Sequence, residues 1–206
     1  MPDRYKTVLL FGAPGAGKGT QGKILGQIPG FFHLACGDVF RSLDTTSDLG
    51  QEFLKYSSKG ELVPDSLTVE MWRQNMHAQT VLSLFKPRSD LLVLDGIPRS
   101  LPQAEALDEY IDVLRVIHLV CKNKDEMIKR MKQRAIKENR LDDASDEVIK
   151  NRMQQYEQET KQLLDYYSPE LLTNINAQQP PIKVLQDIIY TVTSLRVWQG
   201  TADEVY

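Results

Sequence analysis

The residues of this chain whose types and spacing point most directly to chemistry form the run GAPGAGKGTQ at positions 12–21. Gly12, Gly17 and Lys18 match the G-x-x-x-x-G-K spacing of a phosphate-binding loop. In such a loop, glycines let backbone N–H groups face an anion, the lysine adds a charge at the β and γ phosphates, and the next helix presents its positive N-terminus. The alternative is a glycine-rich strand–helix turn with an exposed lysine, so a strand before the run and a helix after it would favour the phosphate loop.

Two residues near this loop could supply oxygen ligands for a divalent metal. The hydroxyl residue that usually follows the lysine is Gly19 here, and Thr20 comes one residue later. Asp95 ends an apolar run and is placed to hold magnesium through water, as an acid at the carboxyl end of a strand does in this class of site. Asp95-Gly96 is also a turn signal, so a capping role is its alternative.

Alternating strands and helices must position these residues. The apolar runs 8–11, 91–94 and 116–121 are typical of strands buried on both faces of a parallel sheet, and 32–35 and 172–175 could add two more. Helical patterns cover 18–27, 66–84, 100–110, 125–138, 146–167 and 182–197. We therefore predict an α/β fold. Residues 35–64 and 133–144 fit the alternation poorly, and we expect both above the carboxyl edge of the sheet, where such folds bind ligands.

Composition excludes several classes of protein. A formal net charge of −3 over 206 residues disfavours nucleic-acid binding through bulk charge. Two cysteines, Cys36 and Cys121, cannot form a disulfide framework or a four-cysteine zinc site, and we expect no zinc. No apolar run approaches the roughly 18 residues of a membrane helix, and no secretory signal is evident. We expect a cytoplasmic protein without a membrane partner, monomeric because no exposed apolar stripe is evident.

A GTPase-like switch is one alternative for the phosphate loop. It would need a D-x-x-G tetrapeptide, which this sequence lacks, and an N-K-x-D motif. Asn123-Lys124-Asp125 places the aspartate one residue too early. An acid at a helix start, favoured by the helix dipole, explains Asp125 better.

Five ordered motifs give the sequence its strongest signal. They are GAPGAGKGTQ (12–21), HLACGDVFR (33–41), GELVPD (60–65), DGIPRSLPQAEAL (95–107) and an arginine pattern over 130–152. In this order they resemble the nucleoside monophosphate kinases, and the adenylate kinases in particular, over nearly the whole chain. The resemblance implies a P-loop NTPase-type parallel five-stranded sheet flanked by helices. On a core of 1–34, 65–132 and 145–198 it implies a monophosphate-binding insert (35–64) and a short lid (133–144), with 199–206 as a flexible tail.

The resemblance also implies the reaction and its residues. ATP and AMP would give two ADP with magnesium, held partly through water by Thr20 and Asp95. The ATP site would comprise Gly15, Ala16, Gly17, Lys18, Gly19, Thr20, Arg134 and Gln179. The AMP site would comprise Cys36, Arg41, Glu61, Leu62, Val63, Gly96, Ile97, Pro98, Arg99, Gln103, Arg140 and Arg152. Lys18, Arg41, Arg99, Arg134, Arg140 and Arg152 would be catalytic, since guanidinium binds phosphate bidentately and stays charged.

Structural roles compete with several of these assignments. Spacings of four residues would let Glu126 pair with Arg130, and Glu138 with Arg134, as a solvated ladder. Asp38 could pair locally with Arg41. Gln103 could be a polar residue on an outer helix face. We interpret His33 and His118 as structural, and Trp72 and Trp198 as packing residues within helices.

One departure bears on the monophosphate. Cys36 stands where adenylate kinases usually have threonine, and a thiol is a weaker donor than a hydroxyl. Pyrimidine monophosphate kinases carry a small residue there, so a UMP/CMP-type kinase is an alternative; they lack the QAEAL that follows Pro102 here. A non-catalytic nucleotide-binding regulator is a further alternative, against which Lys18, Arg99 and Asp95 argue.

Overall fold

The computed structural model describes residues 4–138 and 145–198, and a parallel five-stranded sheet forms their centre. The strands are β1 (Tyr5–Gly12), β2 (Phe31–Ala35), β3 (Leu91–Asp95), β4 (Ile111–Val120) and β5 (Leu172–Asn176). Their order across the sheet is β2-β3-β1-β4-β5, and all four pairings are parallel. The predicted fold class is confirmed. Because β1 lies in the middle, the loop that follows it leaves the sheet at its centre.

Helices connect the strands and cover the sheet. They are α1 (Lys18–Leu25), α2 (Cys36–Arg41), α3 (Asp48–Ser57), α4 (Asp65–Val81), α5 (Leu101–Leu107), α6 (Lys124–Glu138), α7 (Asp146–Tyr166) and α8 (Pro181–Thr193). The predicted helix over 182–197 is too long: α8 ends at Thr193, and Arg196–Trp198 is a separate 3-10 turn. The predicted strand at 116–121 is too short, since β4 begins at Ile111. Residues 112–115 include both polar and apolar side chains, so the first part of this strand does not form a continuous apolar run.

The central strand shows why its sequence is almost continuously apolar. Val8 and Leu10 pack on one face of the sheet with α8, while Leu9 and Phe11 pack on the other with Trp72 of α4. Successive side chains of a strand point to opposite faces, so burial on both sides requires apolar residues at every position. The two cores fix β1 and with it the start of the phosphate loop.

The two irregular regions lie at the functional edge. Residues 35–64 contain α2 and α3, as the helical pattern predicts, and α3 begins at a Ser47 cap whose hydroxyl accepts from the Gly50 N–H at 3.1 Å. At Gly60 an added Cβ would meet the Val148 carbonyl at 2.7 Å, so this region ends against α7. Only residues 133–138 of the predicted lid are among those described. The predicted tail, 199–206, also lies outside them. No helix within residues 4–138 and 145–198 is long and apolar enough to span a bilayer.

Candidate nucleotide site

The loop between β1 and α1 has the geometry of an anion cradle. Gly15 and Gly17 have positive φ angles of 84° and 101°, which other residues rarely adopt. A Cβ at Gly15 would lie 2.6 Å from the Met127 carbonyl oxygen, so the loop also packs directly on α6. The strand before and the helix after it favour the phosphate-loop interpretation. The N-terminal turn of α1 leaves backbone N–H groups without helical partners, and residues 17–20 of this turn line a cavity.

Lys18 begins α1 and turns back over this loop. Its Nζ donates to the Gly12 carbonyl at 2.7 Å and to the Ala13 carbonyl at 3.4 Å. Burial lowers the pKa of Lys18 to about 8; Asp95 opposes this shift, and Arg99, Arg134 and Arg152 add to it. Because charge interactions weaken with distance, these arginines must lie around the same point as the lysine. Four cations gathered around one point favour the binding of an anionic ligand there.

Oxygen groups suited to magnesium lie beside the loop. Asp95 ends β3 and is 8% exposed, and its Oδ2 lies 3.6 Å from where a Cβ on Gly19 would be. Thr20 lines the same cavity. Across the described ranges, no group of three or more His, Cys, Asp or Glu side chains could hold a metal. Magnesium in kinases is held by one or two protein groups together with waters and substrate phosphates, so this pair fits such an ion.

A cavity of about 530 Å³ joins these groups into one site. Its walls come from the phosphate loop, the 35–64 region, the loop after β3, α6, α7 and the segment 177–184. It brings together the predicted residues Gly15, Ala16, Gly17, Lys18, Gly19, Thr20, Cys36, Arg41, Glu61, Leu62, Val63, Asp95, Gly96, Pro98, Arg99, Gln103, Arg134, Arg152 and Gln179. Residues from six separate stretches of the sequence therefore converge on a single space large enough for small-molecule ligands.

Comparison with known proteins decides the family. The family model described as adenylate kinase matches residues 10–171. The chain belongs to the adenylate kinase family. It is 36% identical over 196 residues to the adenylate kinase of Cyanothece sp., an alignment covering 92% of this chain and 96% of the relative. With that of Thermobifida fusca it shares 37% identity over 186 residues, covering 87% and 94%. Membership of the adenylate kinase family identifies the chain as a phosphotransferase in nucleotide phosphoryl transfer.

One predicted site residue, Ile97, is not among the described residues that line the cavity. Ile97 was expected at the AMP site from its motif position, but its side chain is fully buried in the core between the sheet and α4. An apolar side chain gains more from core packing than from a polar, cation-lined cavity, and the neighbouring residues Gly96 and Pro98 line the cavity. Arg140 lies outside the described residues. The predicted insertion around Ala144 also falls partly there.

Arg41 and Arg130 form local ion pairs and also line the cavity. Arg41 donates to Asp38 at 2.6 Å, and Arg130 pairs with Glu126, so both local ion pairs form. Both arginines nevertheless line the cavity, and Arg130 also donates to the Ala177 carbonyl at 3.3 Å. Arg99 is exposed, and its Nε donates to the Gly96 carbonyl at 2.8 Å. The pairs hold the guanidinium groups at the cavity wall, so they do not exclude phosphate binding.

Gln103 is buried and does not lie on an outer face of its helix. It is 1% exposed, so the interpretation as an outer-face residue is wrong. Its Oε1 accepts from the Arg99 N–H at 2.8 Å, and its Nε2 donates to Asp65 Oδ1 at 2.7 Å. Sequence reasoning missed Asp65. The GELVPD motif contains it, but a carboxylate at a helix start is explained by the helix dipole alone.

Cys36 lies at the cavity wall, and His118 lies on β4. Cys36 is 4% exposed, lines the cavity, and has its pKa raised to about 11 by burial. His118 bonds Asn174 Oδ1 at 2.9 Å and the Tyr156 hydroxyl at 2.8 Å, in keeping with a structural role. Tyr156 lines the cavity one turn after Arg152 on α7 and was not singled out from the sequence. That spacing of four residues on a helix was the available signal.

Proposed function

We propose that this protein catalyses the reversible, magnesium-dependent transfer of the terminal phosphoryl group of ATP to AMP, giving two ADP. The observation that carries the proposal is one cavity with a phosphate loop in one wall and Arg41 with Gln103 in another. Two phosphate-bearing ligands facing each other end to end match this distribution of cations. The proposal extends the family assignment to particular substrates and residues.

ATP binds over the phosphate loop. Backbone N–H groups from Gly15 to Thr20 hold the phosphates, and Lys18 adds a positive charge at the β and γ groups. A phosphate oxygen can replace the carbonyl contacts that Nζ makes at 2.7 and 3.4 Å. Arg134 of α6 and the backbone at Gln179 extend the same wall toward the base and ribose of ATP.

AMP binds toward the 35–64 region. Arg41 and Arg99 are placed to hold its phosphate, while the segment 61–63 and Cys36 line the space for its nucleoside. Gln103 offers a bidentate amide to the adenine edge. We propose the domain division expected from the sequence, with 35–64 as the monophosphate-binding insert and 133–144 as the lid.

The chemistry requires positioning and charge stabilisation. An oxygen of the AMP phosphate attacks the γ-phosphorus of ATP; the bond to the β–γ bridging oxygen breaks, and its electron pair stays on the departing ADP. Lys18, Arg99 and Arg152, with Arg140, stabilise the charge on the three equatorial oxygens. No protein base is needed, because the attacking phosphate is already ionised at pH 7.

Magnesium, when bound, would neutralise part of the charge on the ATP phosphates. Asp95 and Thr20 would hold it, partly through water, since their carboxylate and hydroxyl oxygens lie beside the loop. We also propose a monomer working in the cytoplasm with nucleotides as its partners and without nucleic acid. The two unpaired cysteines suit a reducing compartment.

A steady-state assay with ATP, magnesium and each of AMP, CMP, UMP and GMP tests the proposal. We expect kcat/KM for AMP to exceed that for the others by at least a hundredfold. Turnover with CMP or UMP and none with AMP would support the pyrimidine kinase, which the replacement of threonine by Cys36 favours. Tight ATP binding without turnover of any monophosphate would support a non-catalytic regulator.

A further inference from the structure

The side-chain amide of Gln103 is held between two partners with opposite requirements. The Arg99 backbone N–H can only donate, and it lies 2.8 Å from Oε1. An ionised carboxylate can only accept, and Asp65 Oδ1 lies 2.7 Å from Nε2. If the amide were reversed, its oxygen would face the acceptor oxygen of Asp65 and its nitrogen would face the donor N–H of Arg99. Neither hydrogen bond could then form. A single orientation therefore satisfies both contacts.

Asp65 is itself anchored, so it can impose this orientation. It is the first residue of α4, directly after the 35–64 region. The Ser100 hydroxyl donates to the same Oδ1 at 2.7 Å, and Ser100 is buried beneath the loop after β3. The carboxylate thus joins the start of α4 to the start of α5, where Ser100 and Gln103 lie.

The fixed orientation of the Gln103 amide determines which purine base it can pair with. An amide nitrogen has two hydrogens and an amide oxygen two lone pairs, so Gln103 keeps one donor and one acceptor after its protein contacts. A 6-amino purine presents an amino donor beside a ring-nitrogen acceptor, which pairs with an amide in one sense. A 6-oxo purine presents a carbonyl acceptor beside a ring N–H donor and requires the reversed amide.

We propose that Asp65 is a positioning residue that fixes the Gln103 amide, and so makes the monophosphate site select a 6-amino over a 6-oxo purine. The inference rests on the proposed function. Selection of the base depends more strongly on this amide because Cys36, a weak hydrogen-bond donor, stands where a threonine hydroxyl is usual in the family. With Asp65 present, reversing the amide loses both hydrogen bonds and opposes like groups at each. Without Asp65, only the Arg99 contact opposes the reversed amide, so the preference for one orientation falls.

The test compares AMP with IMP as phosphoryl acceptors in the full-length protein. In Asp65→Ala we expect the AMP-to-IMP ratio of kcat/KM to fall at least tenfold, mainly through a higher KM for AMP, with kcat within about threefold. In Gln103→Ala the ratio falls as well, and adding Asp65→Ala to that background lowers it no further, since the two residues act as one unit. Where Asp65→Ala fails to fold, Asp65→Ser serves, because serine suits a helix start but its hydroxyl is one bond short of the amide.

Asp48→Ala is the matched control. Asp48 is the first-turn acid of α3 and does not line the cavity, so its loss removes a helix-dipole contact alone, and the ratio should stay unchanged. An unchanged ratio in Asp65→Ala, or an equal fall in the Gln103→Ala background, overturns the inference while the wild-type turnover of AMP stands. Wild type that does not phosphorylate AMP overturns the proposed function, and this inference with it.

Discussion

The ammonium group of Lys18 lies 2.7 Å from the carbonyl oxygen of Gly12, so the lysine folds back over the loop that it follows. Gly12 ends the central strand, and Lys18 begins the helix after it. This contact places a positive charge at the middle of the sheet edge, where the cavity opens. The charge lies close to Asp95 on the neighbouring strand and to three arginines from other elements.

Removing this charge should abolish most activity. We expect Lys18→Ala to lower kcat by two to three orders of magnitude or more, because an electrostatic contact to the transferring phosphoryl is lost in a water-poor site. Circular dichroism should show an unchanged fold. Lys86→Ala, at an exposed loop away from the cavity, is the matched control and should keep wild-type kcat. Near-normal turnover of Lys18→Ala would contradict the role given to Lys18.

ATP affinity should depend on pH through the same residue. Because burial lowers the pKa of Lys18 to about 8, the ligand-free protein loses the ammonium charge as the pH rises through that value. ATP prefers the charged form, so its dissociation constant should rise between pH 7.5 and 9.5, by up to about tenfold per pH unit. Calorimetry in buffers of different ionisation enthalpy should show proton uptake on binding above pH 8. A flat profile, or the same profile in Lys18→Ala, would be inconsistent with this mechanism.

Arg41 should act on AMP rather than on ATP. It lines the cavity and is held by Asp38 at 2.6 Å, three residues earlier on α2. We expect Arg41→Ala to raise KM for AMP at least tenfold and to leave KM for ATP within about twofold, since charged contacts to phosphate are worth more than 1.4 kcal/mol. Arg73→Ala is a matched control: Arg73 pairs with Glu70 at the same spacing, 2.9 Å apart, on α4 away from the cavity. Equal effects of the two substitutions on AMP would show that Arg41 acts only through its helix.

The thiol of Cys36 should react slowly with alkylating reagents. Burial raises its pKa to about 11, and the thiolate is the reactive form. In Cys121→Ser, we expect iodoacetamide at pH 8 to modify Cys36 at least tenfold more slowly in the folded protein than in guanidinium chloride. In Cys36→Ser, the half-buried Cys121 should be modified faster than folded Cys36. Fast labelling of folded Cys36 would mean that the cavity exposes it.

The sequence predicted the parts of this molecule that local patterns encode. The runs around Leu9 and Leu92 are apolar at every position because both faces of the sheet are covered, and that burial makes such strands recognisable. The phosphate loop was predictable for a similar reason, because its glycines meet a steric demand, such as the close approach of Gly15 to Met127.

What the sequence could not predict depends on contacts between distant segments. The link from Asp65 to Gln103 spans 38 residues, and no spacing rule connects them. The burial of the Ile97 side chain in the core was not predictable either, because it depends on how the loop after β3 turns. Local ion pairs such as Arg130 with Glu126 were predictable, but their place on the cavity wall was not.

The most direct test of the central claim, that one cavity aligns two nucleotides for direct transfer, follows the phosphoryl group itself. The purified protein is mixed with magnesium, ATP labelled with ³²P at the γ position, and unlabelled AMP, and the products are separated within the first turnovers. We predict that the label appears in ADP, with less than about one part in a hundred as inorganic phosphate, because direct transfer between two bound nucleotides requires a site that excludes water. Label released mainly as inorganic phosphate, or ATP left intact, would contradict the account.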